Sequence, residues 1–201
     1  MQALSNYLPD NSFEHVVSYI HQFKVHLTVT KKRKSVLGDY RHAELTHNHR
    51  ISINGNLNKY EFLITLLHEL AHLLTFEQYK HKVEAHGMEW KHCYSMLLKD
   101  FVQLNIFPDD IKKALQKSIR NPSATANGET ELLLVLRKYN PIQQQGIYTL
   151  HQLPVDTIFV TENGRVFKKG IQRRKRIVCI EIKTGLNYLF SPIVEVKKVE
   201  L

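Results

Sequence analysis

The residues His68-Glu69-Leu70-Ala71-His72 set two imidazoles four positions apart with a carboxylate between them. On a helix that spacing puts both rings on one face, where they can share a metal ion. Zinc suits the pair, because it accepts neutral imidazole nitrogen and, with three protein ligands, keeps one position open for water. Water bound there has a pKa of about 7. Glu69, offset but in the same turn, is then the expected catalytic base, taking the proton as the water attacks a carbonyl and returning it to the leaving amine. The chemistry this predicts is amide hydrolysis without a covalent intermediate, with one Zn2+ ion as cofactor.

A third ligand is needed, and its spacing separates classes of zinc hydrolase. The metzincin pattern requires a histidine six residues after His72, where this chain has Gln78, so that class is excluded. The downstream candidates are His81, Glu84, His86, Glu89 and His92. His86 is favoured, because it immediately precedes Gly87 on the face continued by Trp90, Tyr94 and Leu97, which is expected to pack against the metal helix. His92 points away from that face, His81 falls in a Lys-rich loop, and Glu84 or Glu89 would define a different class. The competing structural reading is buried histidines satisfied by hydrogen bonds, and twelve histidines in the chain make an accidental pair more frequent.

Hydrophobic periodicity shows which elements must position these residues. Phe13, Val16, Val17, Ile20 and Phe23 share one helical face, with Asn11 or Ser12 available as N-cap. Lys24 to Thr30 alternates as a strand, and the basic run Lys31 to Lys34 reads as a solvent-exposed loop. Arg41 to Thr46 and Arg50 to Ile53 read as two further short strands, giving a small antiparallel sheet. Asn58 with Glu61 forms a capping-box pattern opening a helix that carries His68 and His72 and is apolar on nearly all sides. Such a helix belongs inside a core, so its polar residues require a reason to be there.

A third helix begins near Gly87 and a fourth runs from Pro108 to Ile119. Asn121 to Gly128 reads as a linker, and Glu131 to Tyr139 is ambiguous between helix and strand. Beyond it the texture is all β, with Asn163-Gly164 as a hairpin signal between Ile158-Val160 and Arg165-Phe167, followed by strands over Ile177-Ile182 and Tyr188-Val199. The fold class expected is α+β: a zincin-like metalloprotease domain with a small antiparallel sheet and a buried His-Glu-x-x-His helix, then a small all-β C-terminal module. The corresponding boundaries are 1–120 for the metal domain, 121–130 for the linker and 131–201 for the β-rich module.

Three local patterns resemble the SprT-like, or Spartan, family of zinc metalloproteases: Leu66-Leu67-His68-Glu69-Leu70-Ala71-His72, the later His86-Gly87-x-x-Trp90, and Lys34-x-x-Leu37-Gly38-Asp39-Tyr40 upstream. The resemblance covers much of residues 10 to 140. It implies zinc on His68, His72 and His86, Glu69 as base, and proteolysis of proteins bound or crosslinked to DNA, as in DNA–protein crosslink repair. Many relatives carry a C-terminal zinc ribbon with paired cysteines. Cys179 stands alone here, so a metal-free β module is expected in its place, without a second zinc.

The formal net charge of +9 and pI near 9.5 favour an anionic partner. The densest basic run supplies Lys168, Lys169, Arg173, Arg174, Lys175 and Arg176 as candidate nucleic-acid contacts, against the plain alternative of a solvated hairpin loop. Binding through them would be independent of base sequence and sensitive to salt. With two cysteines, no disulfide framework, no secretion signal and no apolar stretch long enough to span a bilayer, the chain reads as cytoplasmic. The leading expectation is thus an endopeptidase acting on proteins near DNA. Two rivals stand beside it: a non-catalytic nucleic-acid-binding protein with a structural zinc site, and a zinc amidohydrolase of small substrates.

Overall fold

A computed structural model of the chain describes residues 2–33, 35–123, 129–140 and 146–199. The chain divides into two compact units, Met1–Asn140 and Pro141–Leu201. The first is α+β, and the second is built on an all-β sheet.

In the first unit, a 3-10 turn at Gln2–Tyr7 leads into α1 (Phe13–Gln22), which buries Val16 and Ile20. Ser12 stands at the N-cap position, but its hydroxyl donates to the carbonyl of Pro9 at 2.7 Å instead of accepting from the helix. Strands β1 (His26–Thr30), β2 (Gly38–Arg41) and β3 (Arg50–Asn54) form a sheet in the order β1-β3-β2. The expected all-antiparallel sheet is corrected here: β3 is antiparallel to β2 but parallel to β1. The chain runs down β2 and turns back through residues 42–49, so β3, inserted between the other two, has the direction of β1. Residues 42–46, expected as strand, hold only an isolated bridge between Glu44 and His47.

Helix α2 (Lys59–Tyr79) is the centre of this unit. Asn58 Oδ1 accepts from the N–H groups of Tyr60 and Glu61 at 3.1 and 3.0 Å, satisfying donors that a helix start leaves open. Its amide donates onward to the carbonyl of Leu136 at 2.9 Å and to Asn140 Oδ1 at 2.7 Å, tying the same cap to a distant segment. The sheet covers one side of α2 through the buried Ile51 and Ile53. Helix α3 (Met88–Gln103) covers the other with Trp90, Tyr94, Leu97, Leu98 and Phe101. Every α2 residue from Glu61 to Ala71 is consequently buried, which explains a helix apolar all round.

Helix α4 (Asp109–Arg120) packs on α3, and α5 (Thr130–Leu136) packs on α4 and α2. The ambiguous segment 131–139 is therefore a helix followed by a 3-10 turn, and it belongs to the first unit. That moves the boundary from the expected 121–130 linker to between residues 140 and 141. The physical reason is that Leu132, Leu133 and Leu136 are buried in the helical core. Of the expected linker, residues 124–128 lie outside the described residues.

The second unit holds β4 (Ile147–Thr149), β5 (Ile158–Val160), β6 (Val166–Arg173), β7 (Arg176–Glu181), β8 (Asn187–Phe190) and β9 (Glu195–Lys198) in the order β4-β9-β5-β6-β7-β8. Every pairing in it is antiparallel. The Asn163-Gly164 turn forms as expected, with Gly164 in the left-handed region (φ 80) where a side chain would be strained. Phe159, Phe167, Ile177, Cys179 and Val196, with Leu150 and Leu153, make its core.

Candidate metal centre

His68 and His72 project from the same side of α2, one turn apart, with ring centroids 5.2 Å from each other. His86 arrives from the short loop after α2, just before Gly87 at the N-cap of α3. Its ring centroid lies 5.6 Å from that of His68 and 4.6 Å from that of His72. One nitrogen from each ring lies within 4.8 Å of the others, and among the described residues this is the one group of three or more His, Cys, Asp or Glu arranged to hold an ion. His81 and Glu84 line the same groove on its exposed rim, outside the group, and neither Glu89 nor His92 joins it.

Trp90, fully buried, forms the base of the cluster at 4.8, 5.3 and 4.7 Å from the rings of His68, His72 and His86. Tyr94, one turn further along α3, stacks on Trp90 and meets His68 edge-on. Aromatic surfaces thus fix the imidazoles from below.

The trio has the character of a metal-binding set. Burial, reinforced by repulsion from the neighbouring histidines, holds His68 down to about 3 and His72 down to about 4, and burial alone lowers His86. All three rings are therefore neutral at pH 7, with lone pairs available. His86 Nε2 is buried without a hydrogen-bond partner, a costly state for a polar atom unless it ligates something. Nitrogen-only donors of this kind fit zinc or a similar first-row ion better than a hard oxygen-seeking cation.

Glu69 is 7% exposed and lies toward β2. Burial pushes its carboxyl up to about 8, with Asp39 adding to the rise and Arg33 opposing it. The strand can pass this close only because position 38 is glycine. A Cβ there would stand 2.5 Å from Glu69 Oε1 and 2.9 Å from Thr65 Cγ2.

Three residues that sequence reasoning did not single out for chemistry form a chain that starts at the groove, which Tyr40 lines and which His49 and Glu77 back. The Tyr40 ring is parallel to that of His72 (4°, centroids 6.3 Å apart), and its hydroxyl lies 2.9 Å from His49 Nδ1. His49 Nε2 in turn lies 3.3 Å from Glu77 Oε1. Burial, and then the Glu77 charge, raises the Tyr40 phenol well above the ordinary range, while burial lowers His49. A short polar strand after a glycine was visible in the sequence, but nothing there showed that residues 40, 49 and 77 meet.

Arg33 was also missed. Expected as part of a solvent-exposed run, it is half-buried and bonds Asn54 Oδ1 at 2.8 Å, Ser52 Oγ at 3.0 Å and the Ser52 carbonyl at 3.1 Å, pinning the loop before β2 to β3. Together the histidines, Glu69 and Tyr40 line a groove of about 600 Å³.

The basic residues of the second unit do not act as one surface. Lys169 is 7% exposed and its ammonium donates to the carbonyls of Leu153 and His151, so it is corrected from candidate contact to core residue. The alternation of β6 points its neighbour Lys168 the other way, where it pairs with Asp156 at 2.8 Å. Arg173, Arg174, Lys175 and Arg176 are exposed around the β6–β7 turn.

No helix among the described residues is long and apolar enough to cross a membrane. No curated protein and no solved structure matches this chain. Residues 3–107 match the SprT-like family, and since they make up more than half of the 201 residues and include the whole histidine cluster, the chain belongs to that family.

Proposed function

We propose that this protein is a zinc-dependent endopeptidase with a zincin-like catalytic domain. The observation that carries the reading is the convergence of three neutral imidazoles beside a buried carboxylate on the floor of a groove. His68, His72 and His86 would hold the ion, which when bound supplies Lewis acidity that acidifies water and polarises a carbonyl. Glu69 accepts the proton of the attacking water on its carboxylate and passes it to the departing amine. A carboxylate that burial holds near neutrality is matched to both halves of that task, and a bound cation draws it toward the ionised form needed first.

Strand β2 supports a polypeptide substrate. It is the edge of its sheet and its residues line the groove, so an extended chain can pair with it by main-chain hydrogen bonds. A closed pocket, as a small amide would require, is not what surrounds the trio. Among the described residues no fourth His, Cys, Asp or Glu completes the group, which favours catalysis over a purely structural ion.

Action on DNA-bound or DNA-crosslinked proteins is the substrate class we assign, on the family resemblance, the net charge of +9 and the exposed Arg173–Arg176 turn. The two buried free thiols, Cys93 and Cys179, accord with a reducing cytoplasm. The test is zinc content and proteolysis, with and without DNA, in wild type and Glu69→Gln. The variant is expected to keep zinc and lose cleavage. A variant that binds zinc and cleaves at the wild-type rate removes Glu69 as the base.

A further inference from the structure

Hydrolysis of an amide places negative charge on the carbonyl oxygen, and a donor already fixed beside that oxygen lowers the barrier. Beyond the histidine trio, the groove-lining side chains that can donate are Ser35, Tyr40, Thr75, Lys80 and His81. Thr75 donates to the carbonyl of Ala71 at 2.7 Å. Lys80 is exposed and engaged with Glu77 at 3.0 Å. Ser35 and His81 are exposed on loops. Tyr40 differs from all of them: it sits on a strand, half-buried, parallel to a histidine of the trio and tied by its hydroxyl.

We propose that Tyr40 is a catalytic residue that donates a hydrogen bond to the substrate carbonyl oxygen as that oxygen gains negative charge, with His49 and Glu77 holding it ready. The proposal rests on the peptidase reading of the groove.

The neighbours of His49 fix its tautomer. Its Nδ1 accepts from the backbone N–H of Ala43 at 3.2 Å, and a backbone N–H can only donate. Nδ1 therefore carries the lone pair, the Tyr40 hydroxyl at 2.9 Å is the donor, and the ring proton sits on Nε2, facing Glu77 Oε1 at 3.3 Å. His49 is itself buried, so this chain is rigid at its centre. Glu77 and His72 both belong to α2, Tyr40 belongs to β2, and His49 immediately precedes β3. The Glu77–His49–Tyr40 chain thus straps the groove's edge strand to the helix that carries two of the histidines.

Resting in this way, the phenol has one proton, directed at His49. A rotation about its Cζ–O bond redirects that proton into the groove. His49 Nδ1 is not orphaned when this happens, because the Ala43 N–H continues to donate to it. Release is therefore inexpensive, and the new bond is strong only when the acceptor is anionic. No proton changes owner: the phenol remains intact and stabilises charge as a neutral donor. This is the differential binding of the transition state over the substrate that raises kcat without tightening KM.

The experiment uses the full chain with Tyr40→Phe, which keeps the ring against His72 and removes only the hydroxyl. Cleavage of fluorescein-labelled casein by the zinc-loaded proteins gives kcat and KM, and competition with a chromophoric chelator gives zinc affinity. The expected result is a kcat lower by about 100-fold, with KM and zinc affinity within about twofold of wild type. Long-range 1H–15N correlation on the metal-free wild type supplies a readout independent of activity, and is expected to show His49 protonated on Nε2. A kcat within about threefold of wild type, a loss that tracks zinc affinity, or a His49 proton on Nδ1 each overturns the proposal. Zinc-loaded wild type that cleaves no casein removes the peptidase reading and this role with it, whereas active wild type with an equally active Tyr40→Phe removes Tyr40 alone.

Discussion

Replacing Gly38 with alanine tests whether the closeness of β2 to Glu69 is functional. The backbone at Gly38 needs no left-handed conformation, so the methyl group acts through space alone. The added Cβ meets Glu69 Oε1 at 2.5 Å, Glu69 Cγ at 2.9 Å and Thr65 Cγ2 at 2.9 Å, where ordinary contact begins near 3.4 Å. The carboxylate or the strand must then yield by about 0.9 Å, and because Glu69 Cγ and Thr65 Cγ2 are met as well, turning the carboxylate alone does not relieve the contact. Overpacking of this kind costs about 1–3 kcal/mol, which lowers the melting temperature of a unit this size by about 3–10 °C. A catalytic group displaced by close to 1 Å costs about 100-fold in rate. None of the three atoms nearest the new methyl group belongs to the histidine trio, so zinc affinity is expected to hold. Thermal unfolding with and without zinc, chelator competition and casein cleavage measure the three quantities separately. Gly38→Ala with wild-type stability and kcat refutes the reasoning, and so does a loss of activity accompanied by an equal loss of zinc.

Two further outcomes follow from the same unit. Asn58→Ala removes an acceptor for two helix N–H groups and a donor to Leu136 and Asn140, and is expected to destabilise by about 1–3 kcal/mol in urea unfolding; Asn58→Asp, which keeps the cap but loses both donated bonds, should recover part of that loss. In the metal-free protein His68 and His72 titrate near 3 and 4, below the unfolded value of 6.5, so the unfolded chain binds more protons between those limits. Their contribution to stability is then fully present above pH 6.5 and falls on acidification by up to about 1.4 kcal/mol per pH unit for each histidine, until the folded rings themselves protonate. Glu69, raised to about 8 by the same burial, acts in the opposite sense over this range, so the comparison is made in Glu69→Gln: its urea midpoint, with chelator present, is expected to be lower at pH 5.0 than at pH 7.5, and an unchanged midpoint contradicts the burial assigned to the rings.

Helix α2 was legible because three independent signals coincide on it: the cap at Asn58, the apolar run and the His-Glu-x-x-His spacing. The approach of His86 to His68 and His72 was legible through its place beside Gly87 and Trp90. The Asn163-Gly164 hairpin was readable because turn chemistry is local. What failed was non-local. The parallel pairing of β1 with β3 depends on which strand inserts between which, a choice that alternation cannot encode. Residues 131–139 carry an apolar pattern short enough to serve as helix or strand, and α4 decides the matter by offering Leu132, Leu133 and Leu136 a surface. Arg33 and Lys169 sit inside basic runs whose other described members face solvent, and only burial distinguishes the cation that organises a loop from those that decorate one. The Tyr40–His49–Glu77 chain joins three elements, and no spacing rule connects them.

A single physical cause sets both halves of the candidate site. Withdrawal from water disfavours charge, so it lowers the histidines and raises the glutamate. Exposed imidazoles would be partly protonated near pH 6.5 and would compete poorly for a cation. An exposed glutamate, ionised at all working pH values, would be too weak a base to take a proton from water. Sandwiching α2 between a sheet and α3 therefore prepares the proposed ligands and the proposed base together, without a separate device for either. The fully buried Trp90 beneath the rings and Gly38 above the carboxylate are where that burial is enforced. Opening either side is expected to move the two sets of pKa values back toward their ordinary range in opposite directions.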